Sequence, residues 1–205
     1  MIPILIIAIS FLLIIPFYKT RSYLSVWGGI MFTMAVFLVY LRIKALEIYP
    51  SRFFIKETLF ISGIIVGIAT LLIILAFILI KKKDIFRLKS AYFWKLLVFY
   101  FPWGFLQQLF FQFIFFETVY FAFKGNIFLS LLLSAVFFGL FHLGWTKKFF
   151  LPSLLIGFFF SGIYLLYGNL IWLALSHALL GTFLYVLFVK DNQLARRLTG
   201  LNIFK

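Results

Sequence analysis

The chain has 205 residues, of which 65% are hydrophobic, 23% aromatic and only 12% charged, with a mean hydropathy of +1.17. A soluble domain is about half apolar and about a quarter charged, so there is too little polar surface here to cover a globule, and lipid must be the solvent for much of it. The net charge of +14 sits in short clusters between apolar runs, which reads as the basic flanks of membrane spans facing anionic lipid and excludes a soluble nucleic-acid-binding domain.

A helix needs about 20 apolar residues to cross the hydrocarbon core. In chain order the candidate spans are Ile2–Tyr18, Tyr23–Ile43, Thr58–Ile80, Tyr92–Phe123, Ile127–Leu143, Phe149–Tyr167 and Leu170–Val189. None has the period-two alternation of an outer-membrane barrel. The expected fold is therefore all-α: a polytopic transmembrane helix bundle of about seven spans, with residues 1–205 forming a single transmembrane domain. The first run is short and no small-residue cleavage site follows Tyr18, which fits a signal anchor better than a cleaved signal peptide. The fourth run is too long for a simple crossing. Its start, Asp84–Phe101, is expected partly in the interface, and Pro102 is expected to kink or restart the helix so that Trp103–Phe123 crosses.

Lys and Arg set the orientation. With the N-terminus outside, Lys19, Arg21, the cluster from Lys81 to Lys95, Lys147, Lys148 and the tail cations all fall inside, while the stretch from Arg42 to Lys56 runs against the bias. The balance gives N-out, C-in. The expected location is the plasma membrane of a prokaryote, with the C-terminus cytoplasmic. In the tail, Leu194, Leu198 and Leu201 share a face beside Arg196 and Arg197, as in a short helix lying on the inner surface. Gly63 and Gly67, and Ser153, Gly157 and Ser161, have the small-xxx-small spacing of close helix packing. The short turns at Gly144–Lys148 and Gly168–Asn169 predict that the last three spans pack as antiparallel neighbours.

Polar side chains inside a span cost free energy, so each is a functional candidate. They are Gln107, Gln108, Gln112, Glu117, Asn126, His142, Asn169 and His177. Gln108 and Gln112 are four apart and share one α-helical face. His142 ends an apolar span and His177 lies in the middle of one. Two histidines on adjacent helices with a glutamine cluster on a third predict one shared polar site, although interhelical hydrogen bonding alone would also account for the amides. At about 1.5 Å per residue the histidines differ by roughly 10 Å in depth, a gap that helix tilt can close. Glu117 stands nine residues after Gln108, half a turn away on an ideal α-helix, and is expected as an interfacial carboxylate near Lys124. Two histidines with amide neighbours are a poor metal donor set and there is no cysteine, so neither a metal nor another cofactor is expected.

These residues resemble the CAAX-protease and bacteriocin-processing family of intramembrane endopeptidases, which includes the type II CAAX prenyl endopeptidases. That family is marked by Glu-Glu-x-x-x-Arg, then Phe-x-x-x-His, then His-x-x-x-Asn. Phe138-x-x-x-His142 matches the second motif, and His177-x-x-x-Gly181 matches the third at its histidine. The intervals from Gln108 to His142 and from His142 to His177 are 34 and 35 residues, and the motif-bearing helices cover residues 103–189. The resemblance implies Gln107, Gln108, His142 and His177 as the catalytic positions and Gln112, Phe138 and Gly181 as supporting binding positions. In the family a glutamate and a histidine activate water, and the last histidine and asparagine stabilise the oxyanion. Here the glutamate pair is Gln107-Gln108, the arginine is Gln112 and the asparagine is Gly181. A glutamine amide cannot act as a general base near neutral pH. Three functions stay open: a non-hydrolytic or altered member that holds a lipidated or transmembrane peptide, an active intramembrane endopeptidase, and a transporter or channel. The lipid bilayer is the expected partner in each case, with no nucleic acid, and the sequence leaves the oligomeric state open.

Overall fold

The computed structural model describes residues 56–80, 91–143 and 147–189, with residues 6–10, 12 and 33 besides. The runs Ile2–Tyr18 and Tyr23–Ile43 lie outside the described residues apart from the helical stretch 6–10 and residues 12 and 33. The tail 191–205 and the cations at 81–89 lie outside them altogether.

The described elements are all helical. They are α1 (Lys56–Ile80), α2 (Ala91–Gln108), a π-helical segment (Leu109–Phe116), α3 (Glu117–Ala122), α4 (Ile127–Leu143), α5 (Phe150–Tyr167) and α6 (Leu170–Leu184), which ends in a π turn (Tyr185–Val189). Four helical stretches are long and apolar enough to cross a membrane: Phe60–Ile80, Phe93–Ala122, Phe150–Tyr167 and Leu170–Phe188. The fifth, Ile127–Leu143, has 17 residues. Five of the expected spans thus fall on described helices, and the total of seven depends on residues outside them.

Local chemistry sets the breaks. Lys124 and Gly125 take positive φ values of 53° and 81°, which ends α3 in a left-handed turn. Asn126 then starts α4, its Oδ1 accepting from the Leu129 N–H at 3.0 Å. Gly168 closes α5 with φ 63°, and Asn169 caps α6 by accepting from the Ile171 and Trp172 N–H groups. Both asparagines, candidates by sequence, are therefore helix caps.

Pro102 neither restarts nor ends its helix, since α2 continues through it to Gln108. The proline removes one backbone donor facing Val98 and the helix tolerates this. The departure from α geometry comes later, where the Glu117 N–H bonds back to the Gln112 carbonyl, five residues away. Phenylalanines fill this segment. Phe110, Phe111, Phe115 and Phe116 are all buried, and Phe115 stacks on Phe137 of α4 with ring centroids 4.1 Å apart.

The most extensive contacts are α2 with α6 and α4 with α5, followed by α1 with α6. The expectation that the last three spans are mutual neighbours holds for α4 and α5. It fails for α5 and α6, which touch only slightly despite their short turn. Small residues draw α6 elsewhere: a Cβ on Gly104 of α2 would lie 3.3 Å from the Ala174 carbonyl and 3.5 Å from the Ala178 nitrogen, a backbone approach only small residues permit. Of the other small-residue pairs, Gly157 seats Phe138 and Gly63 seats the Trp172 indole, while Gly67 faces open space. Ile64, Ile68, Leu71 and Leu75 of α1 are exposed, which suits a helix solvated by lipid.

Candidate active-site cleft

Phe138 and His142 stand one turn apart on α4, so their rings lie over each other with centroids 4.4 Å apart. His142 Nδ1 is 2.8 Å from the Phe138 carbonyl oxygen. A carbonyl only accepts, so Nδ1 carries the proton and Nε2 keeps its lone pair. His177, buried at the middle of α6, faces His142 with ring centroids 5.8 Å apart. The difference in depth expected from the two sequence positions is thus closed by the helix arrangement.

Behind His177 stands Gln108. Its Nε2 lies 2.7 Å from His177 Nδ1. With the amide nitrogen donating, Nδ1 accepts, and the histidine carries its proton on Nε2. Phe138, at 5.4 Å between centroids, and Phe160, at 6.0 Å, pack round the same imidazole. The histidines line a cleft of about 70 Å³ with Tyr100, Phe138, Ser153 and Gly181. That volume holds a few water molecules or one small chemical group.

Gln108, His142, His177, Phe138 and Gly181 are thus brought together. Gln107 and Gln112 are not in the cleft wall. Gln112 turns to α5, where its Oε1 accepts from Ser161 at 2.9 Å. Gln108 and Gln112 thus bond to different helices, α6 and α5. Gln107 is buried, and its Oε1 has no hydrogen-bond partner, as is true of the Gln108 Oε1.

Glu117 corrects the sequence reading most sharply. It is buried rather than interfacial and accepts a hydrogen bond from the Tyr164 hydroxyl of α5. At roughly 4.4 residues per π turn, a five-residue step advances about 50°. Gln112 and Glu117 therefore share a side, where Ser161 and Tyr164 receive them. Among the described residues no three His, Cys, Asp or Glu side chains gather as a metal-binding group.

Sequence reasoning missed Tyr100 and Ser153 in the cleft wall. The signal for Tyr100 was its place four and eight residues before Gly104 and Gln108, on the α2 face that meets α6.

Histidines from α4 and α6 thus face each other inside an apolar helix bundle, with an amide behind His177. Residues 89–183, from the start of α2 to near the end of α6, match the model of the type II CAAX prenyl endopeptidase Rce1-like family. No curated protein and no solved structure matches the chain.

Proposed function

We propose that this membrane protein uses the Rce1-like cleft to bind a lipidated or transmembrane peptide without hydrolysing it. The observation that carries the reading is the 2.7 Å contact between Gln108 Nε2 and His177 Nδ1. A carboxylate at that position would accept from Nδ1 and could take a proton from water. The amide places its donor there instead and cannot take a proton from water. Glu117, the buried carboxylate of the same helical span, is engaged by Tyr164 on α5.

What remains is a complementary pair. His142 Nε2 is an acceptor and His177 Nε2–H is a donor, which together match the N–H and C=O of a peptide group. Around them the cleft is aromatic, so such hydrogen bonds form away from bulk water. On this reading the lipid tail of the ligand stays in the bilayer. The cytoplasmic side is the proposed entrance, with the C-terminus on that side, as the Lys and Arg distribution favours.

The test is reconstitution in nanodiscs with an S-farnesylated cysteine tetrapeptide. Saturable binding without release of the three C-terminal residues is expected, with binding weakened by His142→Ala and His177→Ala. Cleavage by the native chain that His142→Ala abolishes would overturn the non-hydrolytic assignment in favour of the endopeptidase.

A further inference from the structure

Tyr100 and Gly181 meet across the α2–α6 contact. A Cβ at residue 181 would stand 2.6 Å from Tyr100 Cε1, 2.8 Å from Cζ and 2.9 Å from the hydroxyl oxygen. Non-bonded atoms do not approach so closely, so the phenol occupies the volume a side chain at 181 would need. The ring lies edge-on to His177, with centroids 6.0 Å apart, and both residues line the cleft. Tyr100 is 8% exposed. Its hydroxyl is not one of the buried polar atoms sealed from both partner and solvent, and among the described residues nothing bonds to it.

Filling space does not require a hydroxyl. The chain contains 32 phenylalanines, and phenylalanine at this position would pack against Gly181 without the desolvation cost of an unpaired hydroxyl. The oxygen is on the cleft wall next to a histidine whose outer nitrogen donates. A carbonyl oxygen has two lone pairs and can accept from both.

We infer that Tyr100 is a ligand-binding residue of the cleft: its hydroxyl, admitted by the absent side chain of Gly181, donates a hydrogen bond to a peptide carbonyl. The inference rests on the peptide-binding reading above. Glycine at 181 and tyrosine at 100 are on this view one device, with the donor supplied from α2 rather than from α6.

The test compares native protein with Tyr100→Phe, which keeps the ring and its packing, in nanodiscs with the S-farnesylated cysteine tetrapeptide. Loss of one buried hydrogen bond should weaken binding about five- to tenfold. A second series carries an alkene isostere of each peptide bond in turn. The native advantage should vanish for one isostere and persist for the others, a pattern that altered packing alone does not produce. Equal affinity of native and Tyr100→Phe protein for the amide peptide would overturn the role of Tyr100 and leave the peptide-binding reading standing. An advantage that survives every isostere would likewise overturn it. No binding by the native protein would overturn the peptide-binding reading and this inference with it.

Discussion

Replacing Gly181 by alanine tests the seam between α2 and α6 with a single methyl group. Carbon atoms in non-bonded contact rest at about 3.5–4.0 Å, and the new Cβ would meet Tyr100 Cε1 at 2.6 Å and Cζ at 2.8 Å. The ring must retreat by about 1 Å, and its surroundings resist. Leu96 and Leu180 on either side of it along the two helices are almost fully buried. Overpacking of this kind costs about 1–3 kcal/mol, while alanine in place of a helical glycine returns up to about 1 kcal/mol. Gly67→Ala supplies the reference, because nothing lies within 4 Å of a Cβ there. Reversible unfolding in bicelles should place Gly181→Ala about 1–3 kcal/mol below Gly67→Ala. In a Tyr100→Ala background, itself destabilised by loss of the ring, Gly181→Ala should cost much less, a coupling well above the roughly 0.5 kcal/mol of independent sites. Equal effects of the two glycine substitutions, with no dependence on Tyr100, would refute the close approach. The same clash bears on restoring the family motif. Beyond Gln107→Glu and Gln108→Glu, adding Gln112→Arg and Gly181→Asn places a longer side chain where Gln112 meets Ser161 and drives another into Tyr100. The four-site variant should therefore fold less well than the two-site one.

Three further outcomes are expected. Gln108→Glu should move the His177 ring proton from Nε2 to Nδ1, read as an exchange of its two ring nitrogen shifts by ¹⁵N NMR; an unchanged tautomer would show that residue 108 does not set it. Gln112→Leu should cost about 1–2 kcal/mol by leaving Ser161 without its acceptor, whereas Gln107→Leu should be neutral or stabilising because it removes a buried oxygen that has no partner; equal losses in unfolding measurements would contradict that difference. Cysteine at Phe123, which spares the Asn126 cap, should react with an impermeant thiol reagent in intact cells and cysteine at Asn192 should not; the reverse pattern would invert the orientation.

The helices were legible because their signal is long-range and redundant. An apolar run such as Ile127–Leu143 stops where charge or glycine begins, and the described α4 has those same bounds. The meeting of His142, His177 and Gln108 was legible for a different reason. Polar groups in an apolar bundle have few partners, and each must find another on a neighbouring helix. Contact order among the helices was less readable. The turn at Gly168–Asn169 is two residues long, yet α6 packs mainly on α2, because Gly104, Ala174 and Ala178 permit a closer approach there than the phenylalanine-rich face of α5 does. Loop length limits how far apart two helix ends can be and says little about which faces pack. Tyr100 was missed because a tyrosine among so many aromatic residues carries no signal until its neighbour proves to be a glycine on another helix.

Glu117 escaped for a reason that can be turned into a rule. It does face away from Gln108, but its distance from Gln108 did not say what that far side meets, and it meets the Tyr164 hydroxyl of α5 rather than the interface. The π segment sets which residues share that side. The sequence held a trace of it: Gln107, Gln112 and Glu117 recur every five residues inside a run that is otherwise apolar. On an α-helix that spacing would scatter three polar groups round the surface, two of them against lipid or phenylalanine, at a cost of several kcal/mol for each unpaired group. On a π-helix a five-residue step is only about 50°, which keeps Gln112 and Glu117 on one side, and α5 offers them Ser161 and Tyr164, three residues apart. A five-residue polar repeat is costly under one geometry and satisfiable under the other, so the energetics favour the wider turn even though π hydrogen bonding is the rarer arrangement. Two duties are held within one span. Gln108 serves the cleft through His177, while Gln112 and Glu117 fasten the same helical span to α5.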